Sequence, residues 1–304
     1  MIDPQPEFRP VAGLADPLAP GLRRVLAPNP SPMTYRGTNT YLLGESELAV
    51  IDPGPDDPAH LAAILRAVLP GQRITHILVT HAHLDHSPLA APLARETGAP
   101  VLGFGPATAG RSAIMSRLAD QGLMGGGEGV DLAFAPDILL ADGDQVSGPD
   151  WTLRALHTPG HMANHLCFAW GDVLFSGDLI MGWASSLVSP PDGDLTAFMA
   201  SLRRLQTDRW RQFHAGHGAP VTDPMARIEA LLAHRLGREA AILQALGDAP
   251  ATAAELAARI YTDTPAALLP AAERNVLSHL VDMTQKDWIT PEEALSATAR
   301  FRRL

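Results

Sequence analysis

The sequence predicts a mixed α/β protein with a layered sheet core and a functional site along one rim of the sheet. Apolar, strand-like runs alternate with short amphipathic helices from about residue 38 to residue 223. Several of these runs end in tight glycine turns that carry histidine or aspartate. Because side chains at strand ends lie along one edge of a sheet, we expect these residues to meet there.

The first half of the chain begins this alternation. Residues 1–30 are rich in proline and show little periodicity, so we predict an extended arm. Residues 57–69 and 86–97 follow the helical period, and the apolar, β-branched run over 74–80 predicts a buried strand between them.

Four potential metal ligands follow that strand within residues 81–86. His81 and His83 are two residues apart, a spacing that points both side chains to the same side of extended backbone. Asp85 and His86 begin the next helical stretch and face a second point in space. Two facing pairs of nitrogen and oxygen ligands indicate two metal ions rather than one.

The second half of the chain repeats this arrangement. Three more strand-like runs end in tight turns with a ligand-type residue at the tip, namely His161, Asp178 and His217. Glycine in these turns adopts backbone conformations that let the chain approach a metal closely. A helix over 194–206 is predicted before the last turn.

The C-terminal region predicts a small separate domain. A long amphipathic helix over 225–246 leads to Thr252, which begins a capping box with Glu255. A further helix over 271–283 and a strand-like run over 288–290 follow. Helix, helix and then hairpin is the order of a winged helix.

With these motifs the chain resembles the metallo-β-lactamase superfamily. The segments that carry the resemblance are the ligand turns at 80–86, 158–161, 176–178 and 216–218 and the Ile51-Asp52-Pro53-Gly54 turn. A narrower likeness, to the β-lactamase-like protein 2 group, rests on residues 29–42, 234–243 and 260–289.

The resemblance implies a four-layer αββα metallo-β-lactamase sandwich, of α/β (α+β) class, with a small C-terminal winged-helix domain. The implied divisions are an extended arm over 1–30, a catalytic domain over 31–224, a connecting helix over 225–247 and a winged-helix-like domain over 248–304. Two segments depart from the group: 120–137, with its triple glycine, is typical of an inserted loop, and 183–194 is longer than the group's pattern. Either could border the cleft and set substrate choice.

The resemblance also implies a role for each ligand-type residue. Two Zn2+ ions would be held by seven side chains: His81, His83 and His161 on one, Asp85, His86 and His217 on the other, and Asp178 shared. Iron or manganese could replace zinc. Asp52 would accept a hydrogen bond that orients a ligand histidine.

A metal pair of this kind implies a hydrolase, because two ions share a bridging water and lower its pKa towards neutrality. Asp85 would also align the resulting hydroxide. His165 is placed as a second catalytic residue that reaches a substrate oxygen, with a packing role as the alternative. Asn39 and Trp183 are placed as substrate contacts.

Three functions are compatible with these residues. The first is phosphodiester hydrolysis on single-stranded RNA, because the β-lactamase-like protein 2 group includes a single-strand RNA endonuclease. The second is hydrolysis of a thioester or another small activated acyl molecule, as in glyoxalase-II-like relatives. The third is a regulator without catalysis, which the complete ligand set disfavours. True β-lactamase action is disfavoured because penicillin-hydrolysing zinc enzymes most often carry cysteine where this chain has Asp178.

Composition restricts partners and compartment. The net charge is −10, and acidic residues outnumber basic ones over 236–304, so we expect no binding to duplex DNA. We expect the C-terminal domain to contact protein instead, either its own subunit or a second copy in a homo-oligomer. No apolar run reaches the ~20 residues of a membrane span, and the N terminus is unlike a signal peptide. Together with a lone cysteine, Cys167, this predicts a cytoplasmic protein.

Overall fold

Two β-sheets face each other across a shared apolar layer in the computed structural model, which describes residues 3–124, 129–247 and 249–304. The first sheet contains seven strands that neighbour one another in chain order: β1 (Ala15–Ala19), β2 (Leu22–Leu26), β3 (Asn39–Leu43), β4 (Glu47–Ile51), β5 (Arg73–Leu78), β6 (Val101–Gly103) and β7 (Ile138–Leu139). Pairing is antiparallel from β1 to β4 and parallel from β4 to β7.

The second sheet has the spatial order β12-β11-β10-β9-β8. Its strands are β8 (Gln145–Ser147), β9 (Thr152–His157), β10 (Leu166–Trp170), β11 (Val173–Gly177) and β12 (Gln212–Ala215). The β11–β12 pair is parallel and the other pairs are antiparallel. Strands β9, β11 and β12 end beside the ligand-type turns that the sequence singles out.

Four helices cover the outer faces of the two sheets: α1 (Pro58–Arg66) and α2 (Ala90–Thr97) on the first, and α4 (Leu195–Leu205) and α5 (Pro224–Leu246) on the second. The helices α3 (Ala113–Asp120), α6 (Ala253–Ile260) and α7 (Leu269–Gln285) share a separate apolar cluster with the end of α5. The Asp57 side chain caps α1, and the Asp194 side chain caps α4. In the described part of the chain, no helix is long and apolar enough to cross a membrane.

Alternation along the strands creates the layers. Leu43 and Ile51 point between the sheets and pack with Phe168 and Phe175 of the second sheet. Their neighbours point the opposite way, towards α1 and α2. The outer face of the second sheet packs on α4 and α5 in the same manner. This confirms the predicted four-layer αββα sandwich.

The C-terminal region forms the predicted winged helix. Thr252 and Glu255 make the capping box at the start of α6, and α7 follows. Strands β13 (Ile289–Pro291) and β14 (Phe301–Arg303) pair antiparallel as the wing. The region packs on its own subunit, where Thr196 Oγ1 of α4 donates to Asp282 Oδ1 of α7 at 2.6 Å.

The N-terminal region differs from the sequence expectation. Residues 1–30 were expected to form an extended arm, but β1 and β2 make the first hairpin of the seven-stranded sheet. Leu22, Val25 and Leu26 are buried in β2. Because the strand is covered on both faces, its sequence does not alternate between polar and apolar residues as that of a half-exposed strand does. The strand therefore gave no periodic signal.

The segment over 120–137 lies only partly within the described residues. Its triple glycine, residues 125–127, is outside them. The remainder packs against the ligand segment, because Leu84 N donates to Gly129 O at 3.1 Å and Asp131 N donates to Ala82 O at 2.9 Å. Helix α3, which the sequence analysis did not predict, precedes this segment and joins the core of the winged helix.

Candidate metal centre and active-site cavity

Three imidazole rings converge at one end of the two sheets. His83 Nδ1 lies 3.0 Å from His81 Nε2 and 3.0 Å from His161 Nε2. His81 and His83 follow β5, and His161 follows β9. All three side chains are buried, and their ligand atoms are close enough together to hold one metal ion.

A second group lies beside the first. It consists of Asp85, His86, Asp178 and His217. The Nε2 atom of His217 lies 3.1 Å from Asp85 Oδ2 and 3.3 Å from His86 Nε2. Two nitrogen and two carboxylate donors in a buried cluster form a second set that could hold a divalent ion.

Asp178, a member of the second group, also lies close to the first. Its Oδ2 is 3.2 Å from His217 Nε2 in one group and 3.7 Å from His161 Nε2 in the other. Gly216 provides the space for this carboxylate, since a Cβ at that position would lie 2.3 Å from Asp178 Oδ1. Asp178 is therefore placed to serve both groups.

The chemistry of the donors fits two metal ions. Asp85 Oδ1 and Asp178 Oδ1 are buried and have no hydrogen-bond partner within the described chain. Such buried carboxylate oxygens are costly unless a cation or a donor satisfies them. Nitrogen and oxygen donors are the ligands that Zn2+, iron and manganese take.

Several ligand-type histidines are oriented by a contact on the side away from the cluster. His161 Nδ1 donates to Leu187 O at 2.7 Å, and His217 Nδ1 donates to Gly37 O at 3.2 Å. Donation from Nδ1 places the proton there and leaves the Nε2 lone pair facing the cluster. The rings are therefore held in the tautomer that binds a metal.

Asp52 provides this contact for His86. Its Oδ2 lies 2.9 Å from His86 Nδ1 and accepts from Thr80 Oγ1 at 2.8 Å, while its Oδ1 accepts from Thr80 N at 2.7 Å. Asp52 has a φ of 51°, a left-handed conformation that aspartate tolerates better than most residues. The turn after β4 thus supports the start of the ligand segment.

The two groups differ in charge. Burial, followed by repulsion from the His161 ring, lowers the pKa of His83 to about 3. Burial also acts against protonation of His217, but the carboxylates of Asp178 and Asp85 raise its pKa to about 10. The histidines of the first group are therefore neutral. The two carboxylates of the second group are negatively charged and stabilise a positive charge next to them.

A cavity of about 650 Å3 opens onto these groups. Its floor includes His83, Asp85, His161, Asp178 and His217. Apolar side chains form much of its wall: Pro32, Met33, Met181, Trp183, Leu187, Leu268, Ala271 and Ala272. The segment over 183–194 contributes to this wall, as does the winged helix through Tyr261 and α7.

Trp183 and Asn39, both expected to contact substrate, lie in different places. Trp183 lines the cavity, and its ring stacks on Tyr35 with centroids 5.0 Å apart. Asn39 is buried away from the cavity lining, where its Nδ2 donates to Ala215 O at 3.0 Å and Gly218 O at 2.9 Å. Its contacts favour a role in holding the turn that carries His217.

His165, expected to reach a substrate oxygen, is fully buried behind the centre. Its Nδ1 lies 3.0 Å from Thr158 Oγ1, and its Nε2 accepts from Asp178 N at 3.3 Å. The ring is not among the described side chains that line the cavity. This position favours support of Asp178 over direct contact with substrate.

Several cavity residues were missed by the sequence analysis. Asp3 and Tyr35 line the cavity from the N-terminal side, and Tyr261 and Asn275 line it from the winged helix. Motif spacing contains no signal for these four residues, because docking of distant segments brings them to the site. The stacking of Tyr35 on Trp183 also depends on that docking.

The fold and the buried histidine–aspartate groups define a metal-dependent hydrolase. The family model for the metallo-β-lactamase superfamily matches residues 33–217, and the model for the β-lactamase-associated winged helix domain matches residues 252–293. The chain belongs to the metallo-β-lactamase superfamily and carries the C-terminal winged helix that accompanies it.

Relatives of two kinds are similar to most of the chain. A β-lactamase-like protein 2 homolog from Drosophila melanogaster is 34% identical over 84% of this chain and 85% of its own length. An atrochrysone carboxyl ACP thioesterase from Aspergillus fumigatus is 30% identical over 89% of this chain and 82% of its own length.

A solved structure also covers the chain. A metallo-β-lactamase family protein from Thermus thermophilus has a TM-score of 0.76 and 28% identity, and the match covers 95% of this chain and 100% of that one. The matched length therefore includes both the sandwich and the winged helix.

Proposed function

We propose that this hydrolase cleaves a thioester or a similarly activated small acyl molecule whose acyl group is largely apolar. The observation that carries the proposal is the cavity lining. Among the described residues that line it, none is lysine or arginine, whereas apolar side chains form much of the wall. A cavity of about 650 Å3 matches the size of small-molecule sites.

The same lining disfavours a polyanionic substrate. Proteins that hold nucleic acid neutralise phosphates with lysine and arginine, and this chain has a net charge of −10. Phosphodiester hydrolysis on single-stranded RNA, the first candidate from the sequence alone, therefore becomes the second candidate. The likeness to the β-lactamase-like protein 2 homolog keeps it in consideration.

We further propose the following ligands for two metal ions, zinc in the first instance and iron or manganese as alternatives: His81, His83 and His161 for one, Asp85, His86 and His217 for the other, and Asp178 for both. When bound, such ions supply Lewis acidity towards the acyl carbonyl and an activated water. The Asp52 contact to His86 Nδ1, at 2.9 Å, would hold that ligand in orientation.

Asp85 is the residue to which we assign alignment of the attacking water. Its side chain lines the cavity, and its Oδ1 has no hydrogen-bond partner within the described chain. Burial acts to raise the pKa of Asp85, but His86 and His217 hold that pKa below its usual range. The carboxylate thus stays ionised at neutral pH and accepts a hydrogen bond through Oδ1.

The names of the fungal relatives agree with acyl chemistry, since an ACP thioesterase cleaves a thioester. Four of these relatives share 30–32% identity with the chain over 75–89% of its length. We take this as support for the reaction class and not for any one substrate.

A substrate panel on protein of measured metal content tests the proposal. The panel contains S-octanoyl-N-acetylcysteamine, S-lactoylglutathione, a short single-stranded RNA and bis-p-nitrophenyl phosphate. We expect kcat/KM to be highest for one of the thioesters, and we expect chelator-treated protein to be inactive. Cleavage of RNA or the phosphodiester at a higher kcat/KM than either thioester would reverse the order of the two candidates.

A further inference from the structure

We propose that Asn275, on α7 of the winged helix, determines substrate specificity by donating a hydrogen bond from Nδ2 to an oxygen acceptor in the acyl part of the substrate. The inference rests on the proposed acyl substrate and extends it, because it adds a polar feature that the apolar group must carry. It also gives the winged helix a role in the active site.

The orientation of the Asn275 amide follows from its partners. Its Oδ1 accepts from Val188 N at 3.3 Å and from an Arg235 guanidinium nitrogen at 3.0 Å. Both partners can only donate, so the oxygen must face them and the NH2 group must lie on the opposite side. Asn275 lines the cavity, and no acceptor for its Nδ2 occurs within the described part of the chain.

Arg235 acts as the positioning residue for this amide. Its side chain is 2% exposed, its guanidinium also donates to Ser186 O, and its Cζ lies 5.1 Å from the centre of the Phe198 ring. No carboxylate forms an ion pair with it among the described residues. Burying a cation that contacts only neutral oxygens and an aromatic ring costs folding free energy. In this position the Arg235 guanidinium fixes the orientation of the Asn275 amide.

A single peptide unit connects Asn275 to the metal centre. The Leu187 carbonyl accepts from His161 Nδ1 at 2.7 Å, and the Val188 N–H of the same peptide donates to Asn275 Oδ1. The Asn275 amide is therefore one peptide unit away from a ligand-type histidine. His161 and Asn275 line the same cavity, so a substrate that extends from the centre towards α7 meets this donor.

The surroundings make such a donor selective. Leu268, Ala271 and Ala272, its neighbours on the same wall, are apolar. A polar group in an apolar wall favours a ligand that satisfies it, and it disfavours an isostere that leaves it unpaired. We therefore expect the preferred acyl group to carry a ketone or comparable oxygen on an otherwise apolar chain.

The experiment compares N-acetylcysteamine thioesters of one chain length: octanoyl, 3-oxo-octanoyl and 5-oxo-octanoyl. We expect the wild-type protein to favour one oxo substrate about tenfold in KM, the effect of one hydrogen bond. Asn275→Asp keeps an oxygen facing Arg235 and Val188 but replaces the donor by an acceptor. We expect this variant to lose the preference, so that its KM values for the oxo and octanoyl thioesters lie within about twofold of each other.

Two further measurements separate the possible failures. Thr196→Val removes a contact between α4 and α7 outside the cavity, and it should leave the oxo preference intact; an equal loss in this variant would refute the role of Asn275. Calorimetry with a non-hydrolysable oxo-thioether analogue on chelator-treated protein tests binding without turnover. An Asn275→Asp variant that binds it as tightly as wild type also overturns the inference. Absence of hydrolysis of all three thioesters by metal-loaded wild type refutes the proposed function, whereas hydrolysis without oxo preference refutes only this inference.

Discussion

Asp52→Asn isolates the support of one metal ligand from the ligands themselves. The substitution keeps the size of the side chain, and asparagine tolerates the left-handed conformation at φ 51° as well as aspartate does. It removes one of two oxygens that together accept from Thr80 N, Thr80 Oγ1 and His86 Nδ1. The backbone and the packing therefore stay comparable while the hydrogen-bond pattern changes.

The size of the effect follows from the two possible orientations of the new amide. If its NH2 group faces Thr80 N, a buried donor is left unpaired at a cost of about 1–3 kcal/mol. If it faces His86, the Nδ1 atom must accept, which moves the proton to the Nε2 atom that faces the cluster. Loss of such a supporting contact lowers metal affinity about 10- to 100-fold, or about 1.4–2.7 kcal/mol.

Competition between the protein and a chelator of known affinity measures this loss for each ion. Asp131→Asn is the matched control, because Asp131 is buried next to the same segment and accepts from Ser87 Oγ and Ala133 N rather than from a histidine. We expect this control to keep wild-type metal affinity. Two ions bound to Asp52→Asn as tightly as to wild type would refute the reasoning.

Three other predictions concern the site and its surroundings. Asp85→Ala should leave the far-UV circular dichroism unchanged and lower kcat by about 100-fold or more, because it removes a proposed ligand and the acceptor for the attacking water. Gly216→Ala should release metal on dialysis, because the new Cβ would lie 2.3 Å from Asp178 Oδ1 and 2.6 Å from His86 Cε1. Burial lowers the pKa of His60 from its usual 6.5 to about 4. Because the unfolded chain takes up this proton at a higher pH than the folded protein does, the free energy of unfolding is highest above about pH 6.5 and decreases as the pH falls towards 4. Urea unfolding should therefore show about 2–3 kcal/mol of acid destabilisation between neutral pH and about pH 4.5 that His60→Gln lacks.

Each of these has a contradicting outcome. Full activity in Asp85→Ala with both ions bound excludes the proposed role of its carboxylate. Gly237→Ala, a helical position with no atom within 4 Å of the new Cβ, controls for the loss of glycine, and equal metal loss there would undermine the steric argument. A His60→Gln variant with the same acid destabilisation as wild type would assign that destabilisation to other groups.

The sequence predicts which ligand-type residues come together, because each of them follows the end of a strand. His81 and His83 share a side of extended backbone, and the turns that hold His161, Asp178 and His217 each follow a strand of the second sheet. Strand ends meet at one rim, so the identity of these residues and their order along the chain suffice to place them together. The αββα layering follows from the same alternation of strands and helices.

The rest depends on docking between distant segments. Asn275 contacts Val188 across 87 positions of the chain, and Tyr35 meets Trp183 through a stack of rings. Such contacts have no periodic signal in the sequence. The same holds for two residues expected to contact substrate, His165, which is four positions from His161, and Asn39, which lies in the N-terminal segment of the resemblance. Their polar atoms face backbone and side-chain groups behind the centre.

The Leu187–Val188 peptide has a consequence for exchange of parts among relatives. Its carbonyl accepts a hydrogen bond from His161 of the sandwich, and its N–H donates to Asn275 of the winged helix. One peptide group therefore contacts both parts of the chain. A chimera that replaces residues 252–293 by the equivalent region of a relative replaces one wall of the cavity that the ligand-type residues also line. Exchange of this module should therefore transfer the proposed acyl preference, and laboratory recombination at the end of α5 offers a route to new selectivities without any change to the ligand turns.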